Sequence, residues 1–462
     1  MSDSKPSQGE LRSLLSGTAD RCLEYLGSLD DRPVTPSPEG IAGLSAFDVP
    51  LQDAPMAAEQ VIEMLYRTAT PATMAMAGPR FFGFVIGGAL PVALAADWLT
   101  STWDQNTGLY NSTPATSFLE EMALRWLVDV LGLPSGCAGA FVTGTTVAHI
   151  TALSAARHVV LDRVGWNVEA DGLFHAPPVT VVVSAEAHPT LLKALGVIGF
   201  GRKRVVAVPT DGQGRMRLDA LPSTVFEPTI VCAQLGNVNT GACDPLRGIC
   251  EWARERGAYV HVDGAFGLWS AAAPSRRFLA DGIELADSWA TDGHKWLNVP
   301  YDSGIAFVRD GDALRAAMSV SAEYLPTESA HRNPSDYTPE LSRRGRGVAI
   351  WAAMRSLGKS GIAELVERNC RQARDFAAGL AAQGHTIHND VVMNQVLVSF
   401  GGPERTRKVI AALQAEGTLW AGETVWHGHV AMRISVSSWA TTDADVQKSL
   451  AAIERVAGRS TA

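Results

Sequence analysis

Thr291-Asp292-Gly293-His294-Lys295-Trp296 follows a short apolar run, 288–291, that reads as a buried strand, and it sets one lysine between a histidine and a tryptophan. An amine beside apolar bulk is partly desolvated, which lowers its pKa and frees it to attack a carbonyl. That suits Schiff-base chemistry. Most lysines are solvated surface groups, so the stretch gains its meaning from what precedes it in the chain.

Upstream lies His261-Val262-Asp263-Gly264-Ala265-Phe266-Gly267, at the end of another strand. A carboxylate held there can pair with a protonated pyridine nitrogen and keep the ring cationic, or it can cap a helix. Ala265 is small enough for a flat ring to lie against it. Further upstream, His188 in Ala185-Glu186-Ala187-His188-Pro189-Thr190 also follows a strand. Ligands in open α/β sheets sit at strand C-termini. An imidazole there can stack on a heteroaromatic ring and handle protons, or cap the next helix. Phe141-Val142-Thr143-Gly144-Thr145-Thr146 leads into an apolar-periodic helix. Its free N–H groups and hydroxyls suit an anion, and the same residues also make an ordinary N-cap. Gly236-Asn237-Val238-Asn239-Thr240-Gly241 reads as a polar loop with side-chain amides near the ring, or as a turn.

The pieces sit on a recognisable frame. Near-continuous apolar runs at 179–184, 205–209, 230–234, 258–262, 288–291 and 304–308 suit strands buried on both faces. Together they predict an α/β fold with a mostly parallel sheet covered by helices, over residues 76–345. After Gly345 a long helix, 348 to about 380, is followed by strands 394–400 and 431–436 and helices 404–416 and 442–456. This predicts a smaller C-terminal α+β domain, 346–462. Residues 1–75 are helical and Pro-rich, too small to hold a core, and are expected to pack on the main domain or on a second subunit.

Composition excludes several classes of function. Hydrophobic content of 46% with 19% charged residues describes an ordinary soluble enzyme. A net charge of −9 argues against nucleic acid, which needs a basic face. The cluster Arg343, Arg344, Arg346 is too short for a groove. Six cysteines (Cys22, Cys137, Cys232, Cys243, Cys250, Cys370) show no CxxC pair and no metal spacing, which implies a reducing, cytoplasmic setting. The opening MSDSKPSQGE lacks an apolar signal core, and the run 81–94 is Gly-broken and too short to span a bilayer, so no membrane partner is expected. Histidine pairs His427/His429 and His385/His388 lack carboxylate or Cys partners at a recognisable spacing, so no metal site is expected.

In this order, Thr143-Gly144-Thr145-Thr146, Ala185-Glu186-Ala187-His188, Asn239-Thr240-Gly241, His261-Val262-Asp263-Gly264-Ala265 and Asp292-Gly293-His294-Lys295-Trp296 resemble the group II pyridoxal phosphate (PLP) dependent amino-acid decarboxylases, the aromatic amino-acid and glutamate decarboxylase family. Pro79-Arg80-Phe81-Phe82 and Ser342-Arg343-Arg344 are similar to further family segments, so the resemblance runs from about residue 75 onward. It implies the aminotransferase-like fold (fold type I) and a homodimer with active sites at the interface. By resemblance Lys295 carries the cofactor as a Schiff base, Asp263 pairs with the ring nitrogen, and His188 stacks on the ring. Thr145 and Thr146 hold the phosphate, with Asp292 and His294 nearby. Three departures stand out: His149 is an unusual residue for its position, Asp292 replaces a neutral phosphate-binding Asn, and the family's proton-donating tyrosine has only Tyr337 or Tyr324 to match it.

The expected reaction is α-decarboxylation of an L-amino acid, the bond held perpendicular to the ring being the one that breaks. Asn237 is expected beside the cofactor, and Phe84 and Trp103, with Phe81 and Phe82, as apolar walls for an aromatic substrate. An acidic substrate would need a cation in the pocket, for which Arg80 is the sequence candidate. The rivals are oxygen-dependent conversion to an aldehyde, carbon–carbon cleavage on the same scaffold, and a non-catalytic PLP-binding protein.

Overall fold

The computed structural model describes residues 6–226, 228–320 and 331–459. Seven strands form the large sheet: β1 (Ala138–Val142), β2 (Thr180–Ser184), β3 (Val206–Val208), β4 (Thr229–Gln234), β5 (Tyr259–Asp263), β6 (Ser288–Asp292) and β7 (Gly304–Val308). Their order is β1-β7-β6-β5-β4-β2-β3. The pairs β2–β3, β2–β4, β4–β5 and β5–β6 are parallel, so the mostly parallel expectation holds. β7 runs antiparallel to both neighbours. The 293–303 connection is shorter than the dozen or so residues a parallel crossover takes, so the chain returns antiparallel. β1 escaped the sequence reading because Ala-Gly-Ala carries no β-branched signal.

The helix Thr145–Asp162 crosses the sheet with small residues, Ala148, Ala152 and Ala155, against Ala290 and Ala306. That close approach positions its N-terminus at the strand ends. Trp269, Trp289 and Trp296 are fully buried, and burying a large apolar side chain contributes about 1.5–3 kcal/mol.

Four short strands, β8 (Thr386–Ile387), β9 (Gln395–Ser399), β10 (Gly422–Trp426) and β11 (His429–Ser435), form an antiparallel second sheet in the order β10-β11-β9-β8. The helix Gly347–Ala382 serves both cores. Ile350, Met354, Ile362 and Val366 pack on the large one, and Ala373, Phe376 and Leu380 on the small one. It bends at Gly358, within the stretch that packs on the large core, where a φ of 60° suits glycine.

Residues 80–85 stitch the two sheets together. Phe82 N–H donates to Trp420 O and Ser435 N–H donates to Phe82 O, at 2.8 and 2.9 Å. Arg80 is buried against Asp445 at 2.8 Å and donates to Thr418 O, which removes it from any substrate pocket. Phe81 is also core, stacked on Trp420, and Phe82 packs edge-on to Phe376. Neither reaches the cavity described below. The N-terminal helices Gln8–Gly27 and Ala58–Ala69 bury no residue. No helix among the described residues is long and apolar enough to cross a membrane.

Candidate active site

The C-terminal ends of β1, β2, β4, β5 and β6 open onto one cavity of about 770 Å³. That size suits a small-molecule site. Lys295, Asp263, His188, Thr145, Thr146, Ala265, Asp292 and His294 all line it, and so does Phe84. Residues scattered over 150 positions of sequence therefore meet because parallel strands all end on the same side.

Asp292 is the hub of one half. Its Oδ2 lies 3.1 Å from Lys295 Nζ, and its Oδ1 accepts the Thr145 N–H at 2.7 Å and faces His294 Nε2 at 3.6 Å. His294 Nδ1 accepts the Ser303 N–H at 3.0 Å, so its proton sits on Nε2, toward Asp292. Burial holds the His294 pKa below the ordinary histidine value despite that carboxylate. The apolar neighbour expected beside the amine is not there. Trp296 turns into the core, donating to Asn369 Oδ1 at 3.0 Å, and anchors the loop that carries Lys295.

The other half is built around Asp263, which is buried. Its Oδ1 accepts the Ala265 N–H at 3.1 Å, and its Oδ2 lies 3.5 Å from His149 Nε2. Burial alone would raise this carboxyl, but His149, His188 and Lys295 outweigh it and hold it well below the usual carboxylate range. His188 caps a helix and faces the cavity at the same time. Its Nδ1 accepts from Thr190 N–H at 3.3 Å as the N-cap of the helix Pro189–Val197, and the side chain still lines the cavity. Burial lowers its pKa.

Three sequence expectations need correction within the chain. Asn237 does not face the cavity: its Oδ1 accepts from Asn239 and Thr240 N–H and closes the turn, while Gly236, Val238 and Asn239 supply the wall. Trp103, at the end of the helix Pro91–Trp103, is 42% exposed and does not line the cavity. Tyr337 lies elsewhere, under the Arg332 guanidinium at a larger cavity of about 1210 Å³ that opens at the opposite end of β1 and holds none of this cluster. Tyr324 lies outside the described residues.

Sequence reasoning missed Arg433. It projects from β11 into the cavity, is largely desolvated, and makes no ion pair among the described residues. A lone arginine inside the apolar run Val430–Val436 was the available signal. Asn239, from the loop read as placing side-chain amides near the ring, does line the cavity, and its Oδ1 accepts from Thr424 Oγ1 of the second sheet at 2.8 Å.

PLP needs an amine for its aldehyde, an anion for its ring nitrogen, a partner for its ring face and donors for its phosphate. Lys295, Asp263 and His188 match the first three. For the fourth, Thr145 Oγ1 is buried at a helix start without a partner, beside Thr146 and the Nε2–H of His294. The donor set fits.

These buried histidines carry a stability prediction. His188, His261 and His294 all have depressed folded-state pKa values. The unfolded chain therefore takes up protons first as pH falls, and stability is lost below the unfolded value of about 6.5, by up to about 1.4 kcal/mol per pH unit per histidine. Denaturant midpoints measured from pH 7.5 to 5.5 should fall steadily. A flat or rising midpoint refutes the assignment of neutral imidazoles.

A sequence model of the pyridoxal-dependent decarboxylase conserved domain matches residues 42–401. Tryptophan decarboxylase 1 of Oryza sativa subsp. japonica is 26% identical, over 93% of this chain and 90% of its own. The aromatic-L-amino-acid decarboxylase of Bacillus atrophaeus is 24% identical over 96% and 94%, and the phenylacetaldehyde synthase of Arabidopsis thaliana 24% over 98% and 97%. Among solved structures, Oryza sativa TDC with PLP and tryptamine superimposes with a TM-score of 0.90 at 23% identity, covering 99% of each chain. Mouse CSAD does so at 0.89 and 22%, covering 98% of this chain and 99% of that one. The fold is thus that of fold type I PLP decarboxylases, and the chain belongs to the pyridoxal-dependent decarboxylase family, carboxy-lyases that remove CO₂ from amino acids with pyridoxal 5′-phosphate.

Proposed function

We propose that the substrate is an aromatic L-amino acid and that Lys295 holds the cofactor. The observation that carries this is the convergence of Lys295, Asp263, His188 and Arg433 on one cavity. When bound, PLP supplies the electron sink for the bond that breaks. The chain's own residues do the rest. Asp263 holds a proton on the ring nitrogen, His188 packs on the ring, and Thr145, Thr146 and His294 hold the phosphate. Arg433 takes the substrate carboxylate and sets its direction. Phe84, Val85 and Val238 provide apolar contact for the side chain. With Lys295 paired to Asp292 and both histidines depressed by burial, no second cation among the described lining residues is left for an acidic side chain. Relatives named for tryptophan and aromatic amino acids support the same class.

The test is a panel of L-amino acids given to the PLP-loaded protein, with CO₂, amine and aldehyde scored together. Equal CO₂ and amine from the aromatic members is expected; turnover of glutamate alone overturns the assignment. One observation favours a second outcome. Among the described residues no tyrosine lines the cavity, so proton return to Cα falls to Tyr324 or Tyr337 of a second copy. Failing that donor, each turnover would consume O₂ and water and yield aldehyde, CO₂, ammonia and hydrogen peroxide. A peroxide assay separates the two.

The same proposal includes a homodimer in the cytoplasm. All six cysteines are free, in keeping with a reducing compartment. Leu15 and Leu23 lie on a helix that buries nothing, and Leu51 is 90% exposed. Apolar surface of this kind marks an interface. Leu15→Asp with Leu23→Asp should shift sedimentation from dimer to monomer and lower activity. An unchanged dimer refutes the placement.

A further inference from the structure

Behind Asp263, away from the cavity, three polar side chains form a line through an otherwise apolar layer. His149 comes from the first turns of the helix Thr145–Asp162, His261 stands two residues before Asp263 on β5, and Ser288 is its cross-strand neighbour on β6. All three are completely buried. His149 Nδ1 lies 2.9 Å from His261 Nε2, and His261 Nδ1 lies 2.8 Å from Ser288 Oγ. Burying three polar groups among alanines and valines is costly unless each finds a partner.

The partners fix a direction. His149 Nε2 makes no hydrogen bond but faces the Asp263 carboxylate at 3.5 Å, and a proton carried on Nε2 points at that charge. Nδ1 of His149 must then accept, which makes His261 Nε2 the donor. His261 Nδ1 in turn accepts from the Ser288 hydroxyl. The Tyr259 hydroxyl stands outside the line and donates to the Asp287 carbonyl at 3.3 Å. From Ser288 through His261 to His149 every proton then points toward Asp263.

We propose that His149, His261 and Ser288 form a one-way hydrogen-bond chain that fixes the Asp263 carboxylate as an anion facing the cofactor's ring nitrogen, with His149 as the positioning residue. The inference rests on the proposed placement of Asp263 opposite that nitrogen and adds what holds it there. Ala265 N–H holds Oδ1 by a hydrogen bond and His149 faces Oδ2 at 3.5 Å, while the carboxylate also lines the cavity. Burial and the neighbouring imidazole keep His261 neutral, which agrees with the direction assigned. A cationic His149 would reverse the chain and neutralise the charge that the ring nitrogen needs.

The experiment loads the protein with PLP labelled with ¹⁵N in the ring and reads the nitrogen resonance alongside the rate of PLP release. In the natural protein a pyridinium signal is expected. His149→Leu should move that signal toward free pyridine and speed PLP release at least about tenfold, the equivalent of one pKa unit. His149→Gln, which can donate and accept at the same positions, should keep the pyridinium signal and release PLP within about threefold of the natural rate. If His149→Leu does not fold by circular dichroism, Ser288→Ala carries the test, with a smaller shift in the same direction. A pyridinium signal and release rate unchanged in the leucine and alanine variants overturns the inference, as does equal loss in the leucine and glutamine variants. An unprotonated ring nitrogen in the natural protein overturns the placement of Asp263 itself, and this inference with it.

Discussion

Lys295→Ala is expected to abolish covalent cofactor binding and to lower kcat/KM by at least about 1,000-fold, some 4 kcal/mol of transition-state stabilisation. No other lysine lines the cavity among the described residues, so no neighbouring amine can substitute. The loss should be chemical rather than structural. Asp292 keeps the Thr145 N–H at 2.7 Å and His294 at 3.6 Å when its lysine partner is gone. Trp296, which anchors the loop, is bonded to Asn369 on the helix Gly347–Ala382 and is untouched. The thermal midpoint of the cofactor-free variant should therefore stay within a few degrees of the natural protein. Borohydride reduction followed by peptide mapping checks the attachment directly, since only the natural protein should carry label at position 295. A variant that keeps the visible absorbance of lysine-bound cofactor, or turns over within tenfold of the natural rate, sinks the assignment of the amine.

Much of this was legible from the chain because parallel strands advertise themselves. The runs before His188 and Asp263 are rich in valine and the one before Lys295 carries a buried tryptophan, and once they are strands of one sheet their C-terminal ends must share an edge. What sequence could not supply was rotation and return. Asn237 and Asn239 are two residues apart in one polar loop, and only the turn that Asn237 closes decides which of them faces the cavity. Arg433 belongs to a strand of the second sheet, and nothing local says that this sheet folds over the first. Trp103 and Tyr337 lie away from this chain's own cavity, since aromatic residues carry no mark that separates packing from recognition. His188 shows a different limit. Helix cap and ring partner were set out as alternatives, yet they do not exclude each other, because Nδ1 serves the backbone while the rest of the ring lines the cavity.

Asp263→Asn should leave Lys295 able to bind the cofactor while lowering kcat by about 1,000-fold, some 4 kcal/mol. The amide keeps the shape of the side chain and can still accept the Ala265 N–H, so the backbone turn after β5 survives. What it loses is charge. The carboxyl is buried, and burial alone would push it toward neutrality; His149, His188 and Lys295 more than offset that. A folded-state pKa held below the unfolded value of about 3.9 means the anion adds stability at neutral pH, lost only as pH falls through the acid range. The fold thus spends three cationic or imidazole neighbours on keeping this one group ionised. An anion held in a buried site raises the proton affinity of whatever base faces it, which for a pyridine nitrogen means a cationic ring and a deeper electron sink. An amide cannot do this. Asp263→Ala should be worse for stability without being worse for chemistry, because it also leaves the Ala265 N–H without its acceptor, at about 1–3 kcal/mol. Borohydride labelling at Lys295 in both variants, read beside kcat and thermal midpoint, separates attachment, chemistry and folding. Turnover by Asp263→Asn within tenfold of the natural protein means that the ring nitrogen does not face this carboxylate.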